Sequence, residues 1–421
     1  MQVYKFGGAS IATPDRARAL LPIFKEAQQP VVAVISALGK TTNALEDIVN
    51  AACKGDKQKA KELAHKLEQQ HLDYAKDLLN EKQFTVAANA MNVYFTELQW
   101  AIDDAQPERY DYSYDQVVCI GELLSTLIIA FYLQQEGYDY EWVDVRDVLR
   151  TDDVFRDARV DVEYSEKRAK EVIGKILAAG KNVLTQGFIG ATADNASVTL
   201  GREGSDYTAA LMAAMLHGNA VTIWKDVEGL LNADPRLFKE TIKIDAVSYY
   251  EVIEMAYYGA QVIHPKTIKP LQNNNIPLYV KCFLDRSLSG TVIQNEVRDA
   301  AYPPIIVWKQ DQVLVQATTK DFSFITEDNL SDIYDIFHEL NIKINLMQNA
   351  AISFVACVDR REDKLQKLIE QLGVNYKVLR NEDVSLLTIR HYTPEVFFDL
   401  TKNKVVLLEQ KTRHTVQVVV M

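Results

Sequence analysis

The sequence predicts an α/β protein in which a mainly parallel sheet is followed by two smaller βαββαβ units. Through the first 295 residues, short β-branched runs alternate with longer helical patterns, as is typical of parallel strands joined by crossover helices. The pattern changes at Pro303-Pro304, because proline neither continues a helix nor donates a hydrogen bond to a sheet. A length of 421 residues also allows two or three domains.

Six β-branched runs of the first region are predicted as strands, and the longest gap between them is predicted to be helical. The strands are Gln2–Phe6, Val31–Ser36, Tyr140–Val143, Asn182–Gln186, Ala220–Trp224 and Pro277–Lys281. The gap, from Thr42 to Gln135, carries apolar residues at helical spacing, as at Leu45, Ile48 and Val49.

After the proline pair, the patterns predict one complete βαββαβ unit and one incomplete unit. The complete unit is predicted from Val313–Thr319, Asp328–Leu340, Lys343–Met347, Ile352–Val358, Lys364–Leu372 and Tyr376–Arg380. The incomplete unit is predicted from Val384–Arg390, Glu395–Leu400, Lys404–Glu409 and Thr415–Val420. Because the incomplete unit lacks one helix and one strand, we expect Ile305–Trp308 to supply the missing strand. The first unit would then be inserted within the second.

Composition and charge exclude several classes of protein. Hydrophobic residues make up 48% of the chain and charged residues 25%, which excludes disorder, collagen and a bare coiled coil. The net charge of 46 − 58 = −12 makes nucleic acid and anionic membranes poor partners. No apolar run approaches 18 residues and the N-terminus has no secretory pattern, so no membrane segment is expected.

The cysteine pattern indicates reduced thiols in a cytoplasmic protein and predicts no metal site. Cys53, Cys119, Cys282 and Cys357 are widely scattered, without CxxC or histidine at ligand spacing. Cys119 and Cys357 lie in apolar runs and are predicted to fill the core.

Glycine-containing loops follow the first two strands. Gly7 and Gly8 offer bare backbone N–H groups beside Lys5, which suits a phosphate, although an ordinary tight turn is the alternative. The second loop contains Gly39-Lys40-Thr41, but a P-loop needs a further glycine where Val34 stands. This second loop therefore predicts a helix N-terminus that binds a carboxylate or phosphate, or that is merely capped.

The most specific motif is TLGREGSDYTA at residues 199–209, which opens a helix predicted to run to about Leu216. It presents a hydroxyl, an arginine and a carboxylate together, and arginine can hold a carboxylate by two parallel hydrogen bonds. Further along, Arg236 and Lys266 lie near strand ends and could face a triphosphate. His264 precedes a proline, which favours a structural side chain over a general base.

Six segments in this order resemble the amino-acid kinase superfamily and, within it, the aspartate kinase (aspartokinase) family. KFGGAS at 5–10 is similar to that family's KFGGTS, and GELLST at 121–126 to its Gly-Glu motif. The order is completed by four further segments: TLGREGSDYTAA, WKDVEG with the following DPR, GAQVIHPKTI and the C-terminal ACT-type units.

The resemblance implies a fold and a domain division. Residues 1–296 would form the catalytic domain, a three-layer αβα sandwich with a mainly parallel sheet, the amino-acid kinase fold. Residues 302–421 would form a regulatory region of two ferredoxin-like ACT units, with about 312–381 inserted within 302–309 plus 382–421.

The resemblance also implies an activity, the transfer of a phosphoryl group from ATP to the β-carboxylate of L-aspartate, with Mg²⁺ held mainly through the nucleotide phosphates. The implied catalytic residues are Lys5 and Asp206. The implied substrate-binding residues are Thr42, Glu122, Arg202, Glu203, Gly204 and Ser205. The implied nucleotide-side residues are Lys5, Gly7, Gly8, Lys225, Asp226, Leu231, Arg236 and Lys266.

Three positions depart from the family pattern: Ala9 stands for threonine, Glu203 for glycine and Lys225 for the usual threonine. Glu203 adds a negative charge beside the expected phosphate path, so activity is expected to persist if its side chain points to solvent. The departures leave two alternatives open, an amino-acid sensor without turnover and a sibling kinase that acts on another acidic substrate.

The paired ACT units imply regulation and a homodimer, since such units usually pair across a two-fold axis. A strand and turn near residue 345 resemble the effector-binding segment of lysine-sensitive members, although a plain strand pair is the alternative. The implied effector-binding residues are Asn345, Met347, Gln348, Asn349 and Ser353. Lysine is the expected effector, but the sequence does not fix its identity.

Overall fold

The computed structural model describes residues 1–27, 30–260, 262–297 and 301–421, which divide into two compact units. The first unit contains 1–230, 245–253 and 262–297, and the second contains 231–244, 254–260 and 301–421.

The first unit is built on an eight-stranded sheet. The strands up to residue 297 are β1 (Gln2–Phe6), β2 (Val31–Ile35), β3 (Tyr140–Val143), β4 (Asn182–Gln186), β5 (Ile189–Ala191), β6 (Ser197–Thr199), β7 (Ala220–Lys225), β8 (Leu230–Leu231), β9 (Lys243–Ile244), β10 (Ala246–Ser248), β11 (Leu278–Cys282) and β12 (Thr291–Gln294). The sheet order is β10-β12-β11-β7-β1-β2-β4-β3, and every neighbouring pair is parallel except β11 with β12. This confirms the predicted mainly parallel sheet.

Burial explains why these segments form strands. All five residues of β2 are buried, and its sequence is a continuous β-branched and small apolar run, as expected for a strand covered on both faces. In β1, Val3 and Phe6 are fully buried, and β1 lies between β2 and β7 in the middle of the sheet. The carboxyl end of β1, where Lys5 lies, is therefore surrounded by the ends of other strands.

The predicted helical gap between β2 and β3 contains four helices. The helices of the chain up to residue 297 are α1 (Pro14–Arg18), α2 (Leu21–Glu26), α3 (Thr41–Cys53), α4 (Lys57–Leu78), α5 (Glu81–Asp104), α6 (Tyr110–Gln135), α7 (Val162–Ala169), α8 (Lys175–Ala178), α9 (Gly204–Met215), α10 (Tyr249–Tyr258) and α11 (Pro265–Asn273). A π-helical turn at Lys170–Gly174 joins α7 to α8. The side chains of Asp56 and Asn80 cap α4 and α5, as these residue types commonly do.

One helix, Pro107–Gln135 with its 3₁₀ start, is long and apolar enough by composition to cross a membrane. Within its most apolar stretch, 89% is buried inside the protein, which is typical of a core helix. The expectation that no apolar run approaches the length of a membrane span therefore underestimated the apolar length of this helix. Its apolar residues fill the core of the first unit instead.

The second unit contains a six-stranded antiparallel sheet with three helices. Its remaining strands are β13 (Ile305–Thr319), β14 (Ile344–Asn349), β15 (Ser353–Asp359), β16 (Tyr376–Arg390), β17 (Val406–Lys411) and β18 (Thr415–Val420). Its helices are α12 (Glu327–Glu339), α13 (Glu362–Leu372) and α14 (Pro394–Thr401). The sheet order is β14-β15-β13-β16-β18-β17, and each pairing is antiparallel.

Two long strands, β13 and β16, each serve both βαββαβ units. The start of β13 pairs with the end of β16, with Ile305 opposite Arg390, and its later part pairs with the start of β16, with Val315 opposite Arg380. This is the pairing that insertion of one unit within the other requires. It gives the paired ferredoxin-like units that the fold class includes.

The prediction of separate strands at Tyr376–Arg380 and Val384–Arg390 was wrong, since both belong to β16. The polar stretches around Asp311 and Asp383 suggest breaks, but the pairing continues through register shifts near Gln312. Asp311 and Asp383 have φ of 53° and 55°, in the left-handed region that aspartate tolerates better than most residues. Irregular turns thus bend the strands without ending them.

Each half of this sheet has its own core. One contains Phe337 and Phe354 with side chains from α12, α13 and the first half of the sheet. The other contains Leu387, Ile389 and Val416, against which Phe397 of α14 packs. A third buried cluster, which includes Leu314 and Cys357 of the first half and Leu386 and Val419 of the second, joins the two halves.

Candidate active site

Lys5 and Asp206 form an ion pair at the carboxyl end of β1. Lys5 Nζ lies 2.6 Å from Asp206 Oδ1, and their side chains are 12% and 5% exposed. Asp206 lies in the first turn of α9, where the helix dipole favours a negative charge. The pair fixes one cation at the edge where open α/β sheets bind ligands.

A cavity of about 440 Å³ surrounds this pair within the first unit. Five parts of the chain line it: the ends of β1 and β2, the start of α3, helix α6, the turn at Arg156, and the segment from Phe188 into α9. The lining residues are Lys5, Ser36, Thr42, Tyr114, Glu122, Arg156, Phe188, Thr199, Gly201, Arg202, Glu203, Gly204, Ser205 and Asp206. All eight residues predicted for catalysis or substrate binding are among them, although their roles stay predictions.

The loops after β1 and β2 lie against each other beside this cavity. Gly39 N donates to Gly8 O over 3.1 Å. A Cβ on Gly8 would collide with the carbonyl oxygen of Ala37, so only glycine allows this close approach. Gly7 lies beside the ammonium of Lys5. The loop thus keeps bare backbone next to a positive charge, as predicted for a phosphate-binding segment.

The GREGSD segment turns sharply before α9. Gly201 has φ of 76° and Glu203 has φ of 55°, so two left-handed residues on either side of Arg202 shape the turn. Arg202 is exposed, and no hydrogen bond or ion pair engages its side chain within the described parts of the chain. Arg202 therefore presents an uncommitted guanidinium at the cavity.

Glu203 is half-buried at the cavity, and its carboxylate is bonded within the protein. Its Oε2 accepts a 2.8 Å hydrogen bond from the backbone N–H of His264, the residue that caps α11. The positive end of α11 thus partly offsets the extra carboxylate. This geometry answers the question that the departure at Glu203 raised, because its charge is bound within the protein.

Glu122 is a buried carboxyl group in the middle of α6. It is 3% exposed, and burial raises its pKa to about 8, although the charge of Lys5 and the backbone N–H of Ala37 act in the opposite direction. Its Oε2 has no hydrogen-bond partner among the described residues. A buried carboxyl oxygen without a hydrogen bond costs free energy, and a ligand in the cavity can supply the missing bond. An ammonium group is a suitable donor for it.

A polar cluster that the sequence did not reveal supports the same cavity. Asp115 is fully buried and accepts hydrogen bonds from Thr199 N at 2.9 Å, Thr199 Oγ1 at 2.7 Å and Arg156 N at 2.9 Å. Burial raises the pKa of Asp115 to about 6 against the opposing effect of these bonds. The cluster joins α6, β6 and the Arg156 turn, three segments far apart in the sequence. No short motif could have indicated it.

On the expected nucleotide side, two cations of the first unit are held by the protein itself. Lys225 Nζ donates to Val262 O at 3.1 Å. Lys266 Nζ donates to Asp157 Oδ1 at 2.9 Å and to Leu200 O at 3.0 Å. Asp226, next to Lys225, is exposed. The lysines are positioned, and a nucleotide would have to compete with these contacts.

His264 has the structural role that the sequence favoured. Its Nδ1 accepts a 3.2 Å hydrogen bond from Lys266 N and so caps α11.

The prediction that Cys119 and Cys357 fill the core is also confirmed, since both are buried and burial raises the pKa of each thiol to about 12.

Leu231 and Arg236 belong to the second unit, so they are not placed in the cavity. Leu231 ends the short strand β8. Arg236 forks onto both carboxylate oxygens of Asp234, its Nη2 lying 2.6 Å from Asp234 Oδ2. Their assignment to the nucleotide stays a prediction.

The proposed effector residues fall into two groups. The side chain of Asn345 bonds Lys309, Gln312 and Asp359 within the second unit. The others, Met347, Gln348, Asn349 and Ser353, lie along β14 and at the start of β15, and Met347 Sδ accepts a 2.8 Å contact from the hydroxyl of Tyr334. Asn345 is therefore committed to the protein, which weakens its assignment as a ligand contact.

The mainly parallel sheet, the glycine loop after β1 and the motif that opens α9 are features by which the chain is assigned to one family. The chain belongs to the amino acid kinase family, whose model matches residues 1–282.

The chain is similar to aspartokinases and to bifunctional aspartokinase/homoserine dehydrogenases, which confirms the resemblance drawn from the motifs. The chain is 34% identical over 245 residues to lysine-sensitive aspartokinase 3 of Escherichia coli, covering 58% of this chain and 54% of that protein. It is 29% identical over 391 residues to a chloroplastic bifunctional aspartokinase/homoserine dehydrogenase 2 of Arabidopsis thaliana, covering 88% of this chain and 41% of that protein. The chain thus spans about half the length, or less, of these relatives.

Among solved structures, E. coli aspartokinase III is similar over the whole chain. Its complex with lysine and aspartate in the T-state has a TM-score of 0.82 at 26% identity, covering 100% of this chain and 95% of that one. Its complex with aspartate and ADP in the R-state has a TM-score of 0.81 at 26% identity. These matches confirm the predicted fold class, a mainly parallel αβα domain with paired C-terminal ACT-type units.

Proposed function

We propose that this protein transfers the γ-phosphoryl group of ATP to the β-carboxylate of L-aspartate, giving 4-phospho-L-aspartate and ADP. This is the first step toward lysine, threonine and methionine. The observation that carries the proposal is the cavity at the end of β1, which combines a fixed ammonium, a free guanidinium and an unpaired buried carboxyl group. The complexes of E. coli aspartokinase III with aspartate and with ADP support the same choice of substrates.

The reaction needs charge compensation more than a base. A carboxylate with a pKa near ~3.9 is already ionised at neutral pH, so it can attack the γ-phosphorus without losing a proton. The obstacle is repulsion between an anionic nucleophile and an anionic triphosphate. Fixed cations that offset this repulsion and align the two groups supply most of the rate.

Lys5 is suited to contact the transferring phosphoryl group. Asp206 holds its ammonium at the carboxyl end of β1 before any ligand arrives. Gly7, Gly8 and Ser205 would line the path of the phosphoryl group, since the loop after β1 and the first turn of α9 both present backbone there. In this arrangement Asp206 is a positioning residue.

The aspartate contacts follow from the charges of the cavity. Glu122, with its unpaired oxygen, would accept the substrate ammonium. Arg202, exposed and uncommitted, would bind a carboxylate, and Thr42 in the first turn of α3 would add a hydroxyl. Glu203 and Gly204 would hold this loop in shape rather than touch substrate, because Glu203 is bonded to His264.

The nucleotide side is proposed to include Lys225, Asp226 and Lys266. The nucleotide roles of Leu231 and Arg236 rest on the resemblance alone. Mg²⁺ would be held mainly by the nucleotide phosphates, since it prefers one or two carboxylates plus phosphates to an all-protein cage. Within the described residues, no group of three or more His, Cys, Asp or Glu side chains could hold a metal ion. Asp206 is the cavity carboxylate that fits such an ion, which would offset phosphate charge when bound.

Regulation by an amino acid is proposed for the second unit, with lysine as the effector and a homodimer formed through the ACT units. The lysine-bound T-state of the similar enzyme supports this choice. Met347, Gln348, Asn349 and Ser353 remain the proposed effector contacts. A cytoplasmic location is supported by the four free cysteines.

An assay that couples ADP release to NADH oxidation tests the proposed activity. ADP should appear with ATP, Mg²⁺ and L-aspartate together and stay at background when L-aspartate is omitted. Release with another acidic acceptor, such as L-glutamate or UMP, but not with L-aspartate would favour a sibling kinase. Binding of L-aspartate without any ADP release would favour a sensor.

A further inference from the structure

Arg156 is a second guanidinium at the cavity that neither the sequence motifs nor the proposed roles use. Its side chain is 45% exposed and lines the cavity together with Lys5 and Arg202. The residue adopts φ of 70°, a left-handed conformation that is strained for a residue with a long side chain. Strained residues that persist at a binding cavity are candidates for function.

Buried hydrogen bonds hold the backbone of Arg156 in this conformation. Its N–H donates over 2.9 Å to Asp115, which also binds both the N–H and the hydroxyl of Thr199. A Cβ on Gly201 would lie 3.3 Å from the carbonyl oxygen of Arg156, so the Arg156 turn packs directly on the residue before Arg202. The two arginines therefore project from adjoining segments on the substrate side of the cavity.

Aromatic and acidic neighbours orient the guanidinium but leave most of its donors free. It lies 4.5 Å from the ring centre of Tyr114 and 5.6 Å from that of Tyr110, and its Nη1 donates to Asp111 Oδ1 over 3.1 Å. A guanidinium carries five N–H donors, and Asp111, itself 62% exposed, uses one of them among the described residues. The group is aligned, yet it can still bind a carboxylate by two hydrogen bonds.

We propose that Arg156 is a second carboxylate-binding residue of the cavity, which together with Arg202 selects an acidic amino-acid substrate. This inference rests on the proposed function, because it assigns a further contact to the same substrate. The contacts of Arg156 with Gly201 and, through Asp115, with Thr199 place it beside the segment that leads to Arg202, whereas the next residue, Asp157, bonds Lys266 of the proposed nucleotide side. The measured KM for each substrate therefore decides which one Arg156 contacts.

The test compares Arg156→Ala with Arg150→Ala by steady-state ADP release. Arg150 is a matched control, because its guanidinium also lies over a tyrosine ring, 4.7 Å from the centre of Tyr164, but it does not line the cavity. Loss of a charge-assisted carboxylate contact should raise KM for L-aspartate about 10-fold in Arg156→Ala, with kcat and KM for ATP within about 2-fold. Arg150→Ala should match the unaltered protein. Arg156→Lys should have an intermediate KM for L-aspartate, because lysine keeps the charge but cannot form two parallel hydrogen bonds.

Arg156→Gly separates substrate binding from a structural role. Glycine relieves the left-handed strain, and the backbone bond to Asp115 remains, so the melting temperature should be equal or higher while KM for L-aspartate rises as in Arg156→Ala. A lower melting temperature together with a parallel loss of kcat would overturn the proposal, because the side chain would then be structural. An unchanged KM for L-aspartate in both variants, or an equal rise in KM for ATP, would also overturn it.

Failure of the inference differs from failure of the proposed function. An unaltered protein that releases no ADP with L-aspartate defeats the proposed function and this inference with it. An active unaltered protein with an unchanged Arg156→Ala variant defeats the inference alone.

Discussion

The two units each contain a cluster of polar side chains around a lysine, but the clusters differ in what they leave unsatisfied. In the second unit, Lys309 Nζ donates to Asn345 Oδ1 at 2.9 Å, and Asn345 Nδ2 donates to Gln312 and to Asp359 at 2.8 Å each. Gln312 Nε2 donates in turn to Asp359 at 3.0 Å. Donors and acceptors are matched within the protein, so this cluster is closed.

The cavity cluster of the first unit is open. Lys5 has one carboxylate partner, Arg202 has no described partner, and Glu122 keeps an unpaired buried oxygen. The pKa of the carboxyl group is raised in the open cluster and lowered in the closed one. Burial raises the pKa of Glu122 to about 8. Burial would also raise the pKa of Asp359, but hydrogen bonds from Gln312 and Asn345 and the charge of Lys309 lower it overall.

The comparison distinguishes polar groups that stabilise the fold from polar groups that are available to bind a ligand. Matched polar groups stabilise the joined sheet of the second unit, whereas unmatched ones indicate where a ligand completes the site. Removing a residue from the open cluster should change activity and ligand binding, and removing one from the closed cluster should change stability.

The largest expected effect is that of Lys5→Ala. Losing one fixed charge beside a transferring phosphoryl group should lower kcat on the order of 10²–10³-fold. Steady-state ADP release measures this, and Lys170→Ala, which removes an exposed lysine paired with Glu166, serves as control. Circular dichroism and melting temperature check folding, because the change leaves Asp206 buried without its partner. Turnover within a few-fold of the unaltered protein would remove Lys5 from the mechanism.

Glu122→Gln should have the next largest effect, on substrate binding and its linked proton. At pH 7 the carboxyl group is mostly protonated in the free protein, since its pKa is about 8. A bound ammonium stabilises the carboxylate, so L-aspartate binding should release about one proton at pH 7 in the unaltered protein and none in Glu122→Gln. Calorimetry in two buffers of different ionisation enthalpy measures this release. Equal release by both proteins would show that the substrate ammonium lies elsewhere.

The same group predicts a pH dependence of stability. The folded-state pKa of about 8 lies above the ordinary value of 4.5, so the folded protein keeps a proton that the unfolded chain releases. The contribution of Glu122 to stability is therefore fully present below pH 4.5 and is lost as the pH rises through 8. Urea unfolding between pH 5 and 8 should show a smaller decline for Glu122→Gln than for the unaltered protein. Identical declines would contradict the assigned pKa.

In the closed cluster, Gln312→Ala should lower stability and leave kcat unchanged. The change removes an acceptor from Asn345 and a donor from Asp359, and an unsatisfied buried polar group costs about 1–3 kcal/mol. Urea unfolding and ADP release measured on the same preparation test both parts. A large fall in kcat without a change in stability would mean that this cluster is not merely structural.

The smallest expected effect is regulation by lysine. Added L-lysine should lower the rate several-fold at fixed substrates, within the ~5–150-fold range typical of coupling between sites. Titrations with lysine and with threonine compare the two effectors. An unchanged rate in both titrations would refute lysine regulation.

Local patterns predicted much of the fold. Gln2–Phe6, Tyr140–Val143 and Asn182–Gln186 are strands over the predicted residues, and in each of them the apolar residues are mostly buried. The prediction failed where polar residues continue a strand, as at Asp383 in β16. Sequence spacing cannot distinguish a bulge from a turn at such a point.

The candidate site was predictable where its residues lie in motifs. Lys5, Glu122 and the segment 202–206 all line one cavity, since parallel strands end at the same edge. Asp115 and Arg156 were not predictable, because their roles depend on three segments that meet only in the folded chain. The bond from His264 to Glu203 was hidden for the same reason.

Trapping of the product tests whether the phosphoryl group passes to a carboxylate of L-aspartate. An acyl phosphate reacts with hydroxylamine to give a hydroxamate, which forms a coloured complex with ferric iron. With ATP, Mg²⁺, L-aspartate and hydroxylamine, aspartyl hydroxamate should form in amounts equal to the ADP released, and almost none should form with Lys5→Ala. ADP release without hydroxamate would contradict this transfer, because the phosphoryl group would then be passing to water or to an acceptor other than a carboxylate.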